Sequence, residues 1–126
     1  MVESLWSIPA AENIRAPLTI MKEQATALTQ QTKGSLVGSV ETVTQGVAGL
    51  AISLSIQVPS LNDYTYRLLT YTQPITMYPG RLIFALKPQF IEVEDEHEFL
   101  EALKDLLSSE EVKRVLTSLL VQANAA

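Results

Sequence analysis

The sequence predicts an α+β fold with an N-terminal helix, an antiparallel meander sheet of four to five strands, and two C-terminal helices packed on one sheet face. The spacing of apolar residues is helical after residue 17, alternates with a period of two through the middle of the chain, and is helical again after residue 95. The loops between the alternating segments are short, which favours antiparallel neighbours. A chain of 126 residues is typical of one domain, so we expect 1–126 to form a single α+β domain.

The N-terminal part of the chain divides into an arm and a helix. Residues 1–15 show no period and predict an irregular N-terminal arm, which we expect Trp6 and Ile8 to anchor. Pro17 suits the first position of a helix, and the following spacing predicts a helix over 17–33. Its apolar stripe consists of Leu18, Met21, Ala25 and Leu28.

Alternation of apolar and polar residues predicts the strands. The predicted strands are 36–43, 50–58, 64–72, 81–87 and 89–94. In the second, the apolar set is Leu50, Ile52, Leu54, Ile56 and Val58, and the intervening set is Ala51, Ser53, Ser55 and Gln57. Such a strand packs one face on a core and leaves the other exposed. Pro74 and Pro79 restrict the segment between them to a short edge piece.

Two capping patterns predict the C-terminal helices. Asp95 with Glu98 begins the first, and Ser108 with Glu111 is a capping-box pattern that begins the second. Each helix carries a broad apolar arc. These arcs are wide enough to cover one face of the sheet but not two.

Charge and composition exclude several classes of function. The net charge of −5 disfavours binding to a phosphate backbone, so we expect no nucleic-acid partner. No segment is apolar enough to span a membrane, and no signal peptide is evident, which predicts a cytoplasmic protein. The absence of cysteine excludes disulfides, thiolate catalysis and cysteine-ligated metals.

The most polar segment surrounds the single histidine, His97. Its acids are Glu92, Glu94, Asp95, Glu96 and Glu98. They fan out from a strand end around a helix start, where acids complement the helix dipole, so we expect no metal site and no cofactor. No nucleophile elbow, phosphate-binding loop or zinc-protease motif occurs. The sequence therefore favours a non-enzymatic role and identifies no catalytic residue.

Tyrosine and arginine concentrate on the third predicted strand, beside the small residues of the second. Both residue types are common at binding hot spots, although tyrosines also stabilise sheets by cross-strand packing. The candidate binding residues are Ser53, Ser55, Tyr64, Tyr66, Arg67 and Tyr71.

Three segments resemble small uncharacterised bacterial proteins of unknown function. They are Pro17–Ala25, Thr32–Gly34 and Pro59–Leu68. The resemblance implies a bacterial cytoplasmic protein and implies nothing about its site residues.

Two functional hypotheses remain from the sequence. The first is a non-enzymatic protein-interaction module, such as a chaperone, an immunity-type inhibitor or a complex subunit, which uses an open sheet face or edge to bind a protein partner or a second copy as a homodimer. The alternative is a small-molecule-binding or catalytic domain with a pocket between sheet and helices.

Overall fold

The structure is a computed structural model that describes residues 3–9 and 13–126, and it has the predicted α+β architecture. Its helices are α1 (Pro17–Gln31), α2 (Glu96–Leu107) and α3 (Glu110–Ala125). Its strands are β1 (Val37–Thr44), β2 (Leu50–Val58), β3 (Tyr64–Gln73), β4 (Gly80–Phe84) and β5 (Phe90–Val93). The strands form one antiparallel sheet in the order β1-β2-β3-β4-β5, which confirms the predicted meander.

The apolar set of β2 lies where the sequence predicts it. Ile52, Leu54, Ile56 and Val58 are buried, and Leu50, at the start of the strand, is half-buried. They belong to one core cluster that also contains buried residues of all three helices. The helices therefore cover the sheet face that bears these side chains.

Helix α1 packs closely on the edge strand β1. A methyl group at Gly38 would overlap the backbone of Ala25, so the absence of a side chain at Gly38 permits this approach. The Gly38 N–H donates to Thr29 Oγ1 at 3.0 Å. The buried stripe differs from the predicted one, since Ile20 is buried whereas Leu18 and Leu28 are only partly buried.

The C-terminal helices begin almost where the caps predict. Asp95 is the N-cap of α2, and its Oδ1 accepts from the Glu98 N–H at 2.9 Å, as expected. The prediction that Ser108 caps α3 was wrong by one residue. Ser109 is the N-cap, and its Oγ accepts from the Val112 N–H at 3.3 Å, whereas Ser108 ends α2.

The structure differs from the prediction in the segment between Pro74 and Pro79, in the lengths of β4 and β5, and in the N-terminal arm. The segment between Pro74 and Pro79 forms a turn without strand pairing, and the fourth and fifth strands are shorter than predicted. Residues 3–9 and 13–16 contain no helix or strand, while residues 1, 2 and 10–12 of the predicted arm lie outside the described residues. Trp6 and Ile8 are 82% and 78% exposed, so they do not anchor the arm as expected. Within the described part of the chain, no helix is long and apolar enough to cross a membrane.

Candidate functional site

The sheet face opposite the helices is uncovered by other described elements, and we call it the open face. The pairing register places the following residues on it: Val37, Ser39, Glu41 and Val43 of β1, Ala51, Ser53, Ser55 and Gln57 of β2, Thr65, Arg67, Thr70 and Thr72 of β3, Arg81 and Ile83 of β4, and Phe90 and Glu92 of β5. Small hydroxyl-bearing residues occupy its centre.

Three candidate binding residues lie together on the open face. Ser55 pairs directly with Arg67 across the β2–β3 ladder, and Ser53 pairs with Thr70. The Ser53 and Thr70 hydroxyl oxygens are 3.0 Å apart and share a hydrogen bond. Both serines are almost inaccessible because they are small and lie between neighbouring side chains. The centre of this face is therefore low and flat.

Larger apolar side chains surround this low centre. Val43, Ile83 and Phe90 are 59%, 46% and 50% exposed. The guanidinium of Arg81 lies over the Phe90 ring, 4.6 Å from its centroid, and one of its nitrogens is 3.7 Å from Glu92 Oε1. The open face therefore combines exposed apolar area with hydroxyl groups and paired charges.

Tyr71 does not join this surface but lies in the core beneath α2. Its side chain is fully buried, and its ring contacts the Phe99 ring edge-on at 4.8 Å between centroids. Its hydroxyl donates to the Met77 carbonyl oxygen at 2.8 Å. Tyr71 therefore does not share a surface with the other candidate residues, because its side chain is inaccessible and its hydroxyl is bonded within the core.

Burial also raises the pKa of Tyr71 and of Tyr78, whose rings lie next to each other. It raises the pKa of Tyr71 far above the ordinary value, and the neighbouring Tyr78 adds to the shift. Burial raises the pKa of Tyr78 from 10.0 to about 12, the carboxylates of Glu96 and Asp95 contribute further, and Arg15 opposes them. Both phenols are therefore neutral at physiological pH.

Tyr64 and Tyr66 form a second surface, on the helix side of the sheet. Tyr64 is half exposed, Tyr66 is partly buried, and both line a cleft of about 740 Å³ between β3 and α3. The cleft is lined by Leu61, Tyr64, Tyr66, Leu86, Glu111, Arg114, Val115, Ser118, Leu119 and Gln122. This cleft lies between sheet and helix, where the alternative hypothesis expects a pocket.

A β-bulge explains which β3 residues share a face. Leu54 pairs with Leu69, but the next residue, Ser55, pairs with Arg67, so Leu68 is the extra residue of β3. Leu68 and Leu69 are both buried. The bulge therefore shifts the alternation of β3 by one residue. Ser53, Ser55 and Arg67 lie on the open face, Tyr64 and Tyr66 line the cleft, and Tyr71 is buried.

Three acidic side chains around His97 accept hydrogen bonds from nearby backbone N–H groups. Asp95 caps α2, Glu98 Oε1 accepts from the Glu94 N–H at 3.1 Å, and Glu96 Oε1 accepts from the Arg15 N–H at 2.7 Å. In residues 3–9 and 13–126, no three His, Asp or Glu side chains are placed to hold a metal ion. These acids stabilise a helix start and its connection to the N-terminal segment.

Sequence reasoning missed the α3 side of the cleft. Arg114, Ser118 and Gln122 are spaced by four residues, and so are Glu111, Val115 and Leu119. This spacing places each set along one side of a helix, so the two adjacent rows were visible in the sequence. Their position opposite Tyr66 depends on tertiary packing, which no local pattern encodes.

Comparison with known proteins gives this chain no relative from which a site can be transferred. No protein-family model, curated protein sequence or solved structure matches it.

Proposed function

We propose that the protein is a non-enzymatic interaction module that packs its open face against the open face of a second copy. The observation that carries this proposal is the exposure of Val43, Ile83 and Phe90 on one uncovered sheet face. These side chains come from three different strands, so they expose apolar area across the face rather than at one isolated position. Ile83 and Phe90 pair across β4 and β5, whereas Val43 lies at the other edge of the face, on β1. A contact that covers the whole face would bury all three side chains.

The charges of the open face support a copy of the same chain as the partner. Arg67 and Arg81 balance Glu41 and Glu92, so the face has a formal charge of zero (two positive and two negative groups), whereas the whole chain carries −5. Two copies of a neutral face with both signs avoid the repulsion that the rest of the surface would cause. A nucleic acid would instead require an excess of positive groups.

The shape of the open face also suits another sheet. Stacked sheets lie about 10 Å apart, and small central residues such as Ser53 and Ser55 permit this approach. Five strands spaced by about 4.8 Å and eight residues rising about 3.3 Å each give a face of roughly 20 Å by 25 Å. This flat outline of roughly 500 Å² is an upper bound, because β4 and β5 are shorter than eight residues. It is smaller than the accessible surface of about 800 Å² that a specific contact buries on each partner, so side chains beyond the flat face must contribute to the contact.

We also propose that the protein acts in a bacterial cytoplasm. A fold without cysteine needs no oxidising environment. This property, together with the resemblance to bacterial segments, supports action in a bacterial cytoplasm.

A matched pair of valine substitutions tests the proposed contact. Val43 on the open face is 59% exposed, and Val121 on α3 is 63% exposed, so Val→Lys replaces a similarly exposed side chain at both positions. We expect light scattering after size exclusion to give a dimeric mass for the wild type and for Val121→Lys at high micromolar concentration. Val43→Lys should be monomeric, because it places an ammonium group inside the apolar contact.

Two results would contradict the self-pairing. One is a wild-type protein that remains monomeric at the highest soluble concentration. The other is a dimer whose dissociation constant is the same for Val43→Lys and Val121→Lys.

A further inference from the structure

The cleft between β3 and α3 has the dimensions of a small-molecule site. Its volume of about 740 Å³ lies inside the range of roughly 300–1,000 Å³ that is typical of ligand pockets. Tyr64 and Tyr66 form its sheet side, and Val115 and Leu119 line it from α3. The cleft is separate from the open face, so it provides a second surface with a different chemistry.

The cleft is lined by one cation, Arg114, and one anion, Glu111. Glu111 Oε1 is 3.9 Å from Lys87 Nζ. A hydrogen bond from its own backbone N–H lowers the pKa of Glu111, and the charges of Lys87 and, to a smaller extent, Arg114 lower it further, so this carboxylate is ionised. Arg114 has no salt bridge to any described residue. Arg114 and Lys87 share the Glu111 carboxylate as a neighbour, since both cations lower its pKa.

The aromatic groups of the cleft are also available to a ligand. Tyr64 is 51% exposed, and neither its hydroxyl nor that of Tyr66 donates a hydrogen bond to a described residue. By contrast, the hydroxyls of Tyr71 and Tyr78 both donate to carbonyl oxygens. The cleft therefore offers ring surface, two free hydroxyls and one cation.

We propose that this cleft binds a small aromatic carboxylate. Its ring packs among Tyr64, Tyr66 and the apolar residues of α3, where tilted or offset contacts between aromatic rings are favourable. Its carboxylate binds the guanidinium of Arg114, whose planar group of N–H donors matches the two oxygens of a carboxylate. Highly charged anions fit less well, because Glu111 and the net negative charge of the chain repel them.

Calorimetric titration with three naphthalene compounds tests this ligand class. The probes are 2-naphthylacetate, the neutral alcohol 2-(2-naphthyl)ethanol, and the cation 2-(2-naphthyl)ethylamine. We expect the acid to bind with one-to-one stoichiometry, and the alcohol and the amine to bind at least about tenfold more weakly, since they lose a charge-assisted hydrogen bond. Equal affinity for acid and alcohol would overturn the role of the carboxylate, and no binding of the acid would overturn the site.

Two arginine variants locate the contact. Arg114→Gln should weaken binding of the acid about tenfold and leave binding of the alcohol unchanged, because only the acid uses the positive charge. Arg67→Gln, which removes an exposed arginine from the open face, should change neither affinity. Arg114 is exposed and has no ion pair to lose, so we expect the variant to fold. An unchanged affinity of Arg114→Gln for the acid would refute the proposal.

The same ring and carboxylate also occur at the end of a peptide whose last residue is phenylalanine. Acetyl-Ser-Gly-Phe as the free acid and as the amide distinguishes this source from a free aryl acid. Tighter binding of the peptide acid than of 2-naphthylacetate, abolished in the amide, would contradict a small free aryl acid as the ligand and would indicate a peptide C-terminus instead. Weaker binding of the peptide acid supports the site and assigns it to free aryl acids.

The cleft proposal and the open-face proposal fail separately. Residue 43 lies on the opposite side of the sheet from the cleft. The Val43→Lys protein should therefore bind 2-naphthylacetate with wild-type affinity whether or not it dimerises. A simultaneous loss of dimer and ligand in this variant would contradict the assignment of the ligand to a cleft that is independent of the dimer.

Discussion

On strand β2, Leu54 and Ile56 are buried beneath the helices, whereas Ser53 and Ser55, which alternate with them, face away from the helices. The two sheet faces thus share the same backbone but differ in side-chain size and in what covers them. Large aliphatic groups on the helix side each contribute roughly 1.5–3 kcal/mol when fully buried. Hydroxyl groups on the open face contribute little apolar burial, so that face adds less to the stability of the fold than the covered face does.

The covered face also holds the aromatic residues in fixed positions. Tyr71 packs on Phe99 and donates its hydroxyl proton to Met77. On the same strand, Tyr66 keeps part of its surface exposed in the cleft. Residue type alone therefore does not separate a core tyrosine from an accessible one, whereas burial and the hydrogen bond of the hydroxyl do.

The largest expected change in the free energy of unfolding comes from comparing substitutions on the two faces of β2. Leu54→Ala should lower the free energy of unfolding by about 2–5 kcal/mol, because it leaves a cavity in the core. Ser55→Ala, one residue further, removes only a hydroxyl from the open face and should change stability by less than about 1 kcal/mol. Urea denaturation of both variants measures the difference. Equal losses in the two variants would contradict the assignment of the faces.

A smaller effect distinguishes the two kinds of tyrosine on β3. Tyr71→Phe should destabilise the protein by about 1–3 kcal/mol, because the Met77 carbonyl oxygen loses its donor in a buried environment. Tyr66→Phe removes a hydroxyl without a described partner, and we expect a change of no more than about 0.5 kcal/mol. Thermal or urea denaturation tests the pair. A Tyr66→Phe variant as unstable as Tyr71→Phe would show that our separation of structural and cleft tyrosines is wrong.

Local patterns in the sequence predict most of the fold. Strict alternation over 50–58 predicts β2 with its correct bounds and its buried side, and Asp95 with Glu98 predicts the start of α2. Both signals arise from contacts that are close in the chain: the pleat of one strand and one helical turn. The short loops then limit the strands to a meander.

The candidate site was harder to predict because its groups depend on distant contacts. The bulge at Leu68 changes which face the later β3 residues occupy, and strict alternation does not reveal it. Tyr66 and Arg67 are consecutive residues of a strand, so alternation alone places them on opposite faces of the sheet, with or without the bulge. The prediction that both belong to one binding surface did not take this alternation into account. Arg114 meets the tyrosines only through the packing of α3 against the sheet, which is a tertiary contact.

The last prediction concerns the pH dependence that Tyr78, at the edge of the covered face, gives to the free energy of unfolding. Burial raises the pKa of Tyr78 from 10.0 to about 12, so the folded protein holds the phenol proton more tightly than the unfolded chain does. Below pH 10 both states are protonated at this residue, and it contributes no pH dependence. As the pH rises from 10 towards 12, the unfolded state ionises first and gains stability, so the free energy of unfolding falls.

Tyr78→Phe isolates this contribution because all other titrating groups are shared with the wild type. We expect the stability of the wild type, measured relative to Tyr78→Phe by urea denaturation, to be constant below pH 10 and to decrease steadily towards pH 12. The part of the Tyr71 shift that comes from burial is shared by both proteins and cancels in the difference. The part that comes from Tyr78 is present only in the wild type and adds to the difference with the same sign. A relative stability that is independent of pH over this interval would mean that Tyr78 is as solvated in the folded protein as in the unfolded chain. The covered face would then end before Tyr78, at the ring pair of Tyr71 and Phe99.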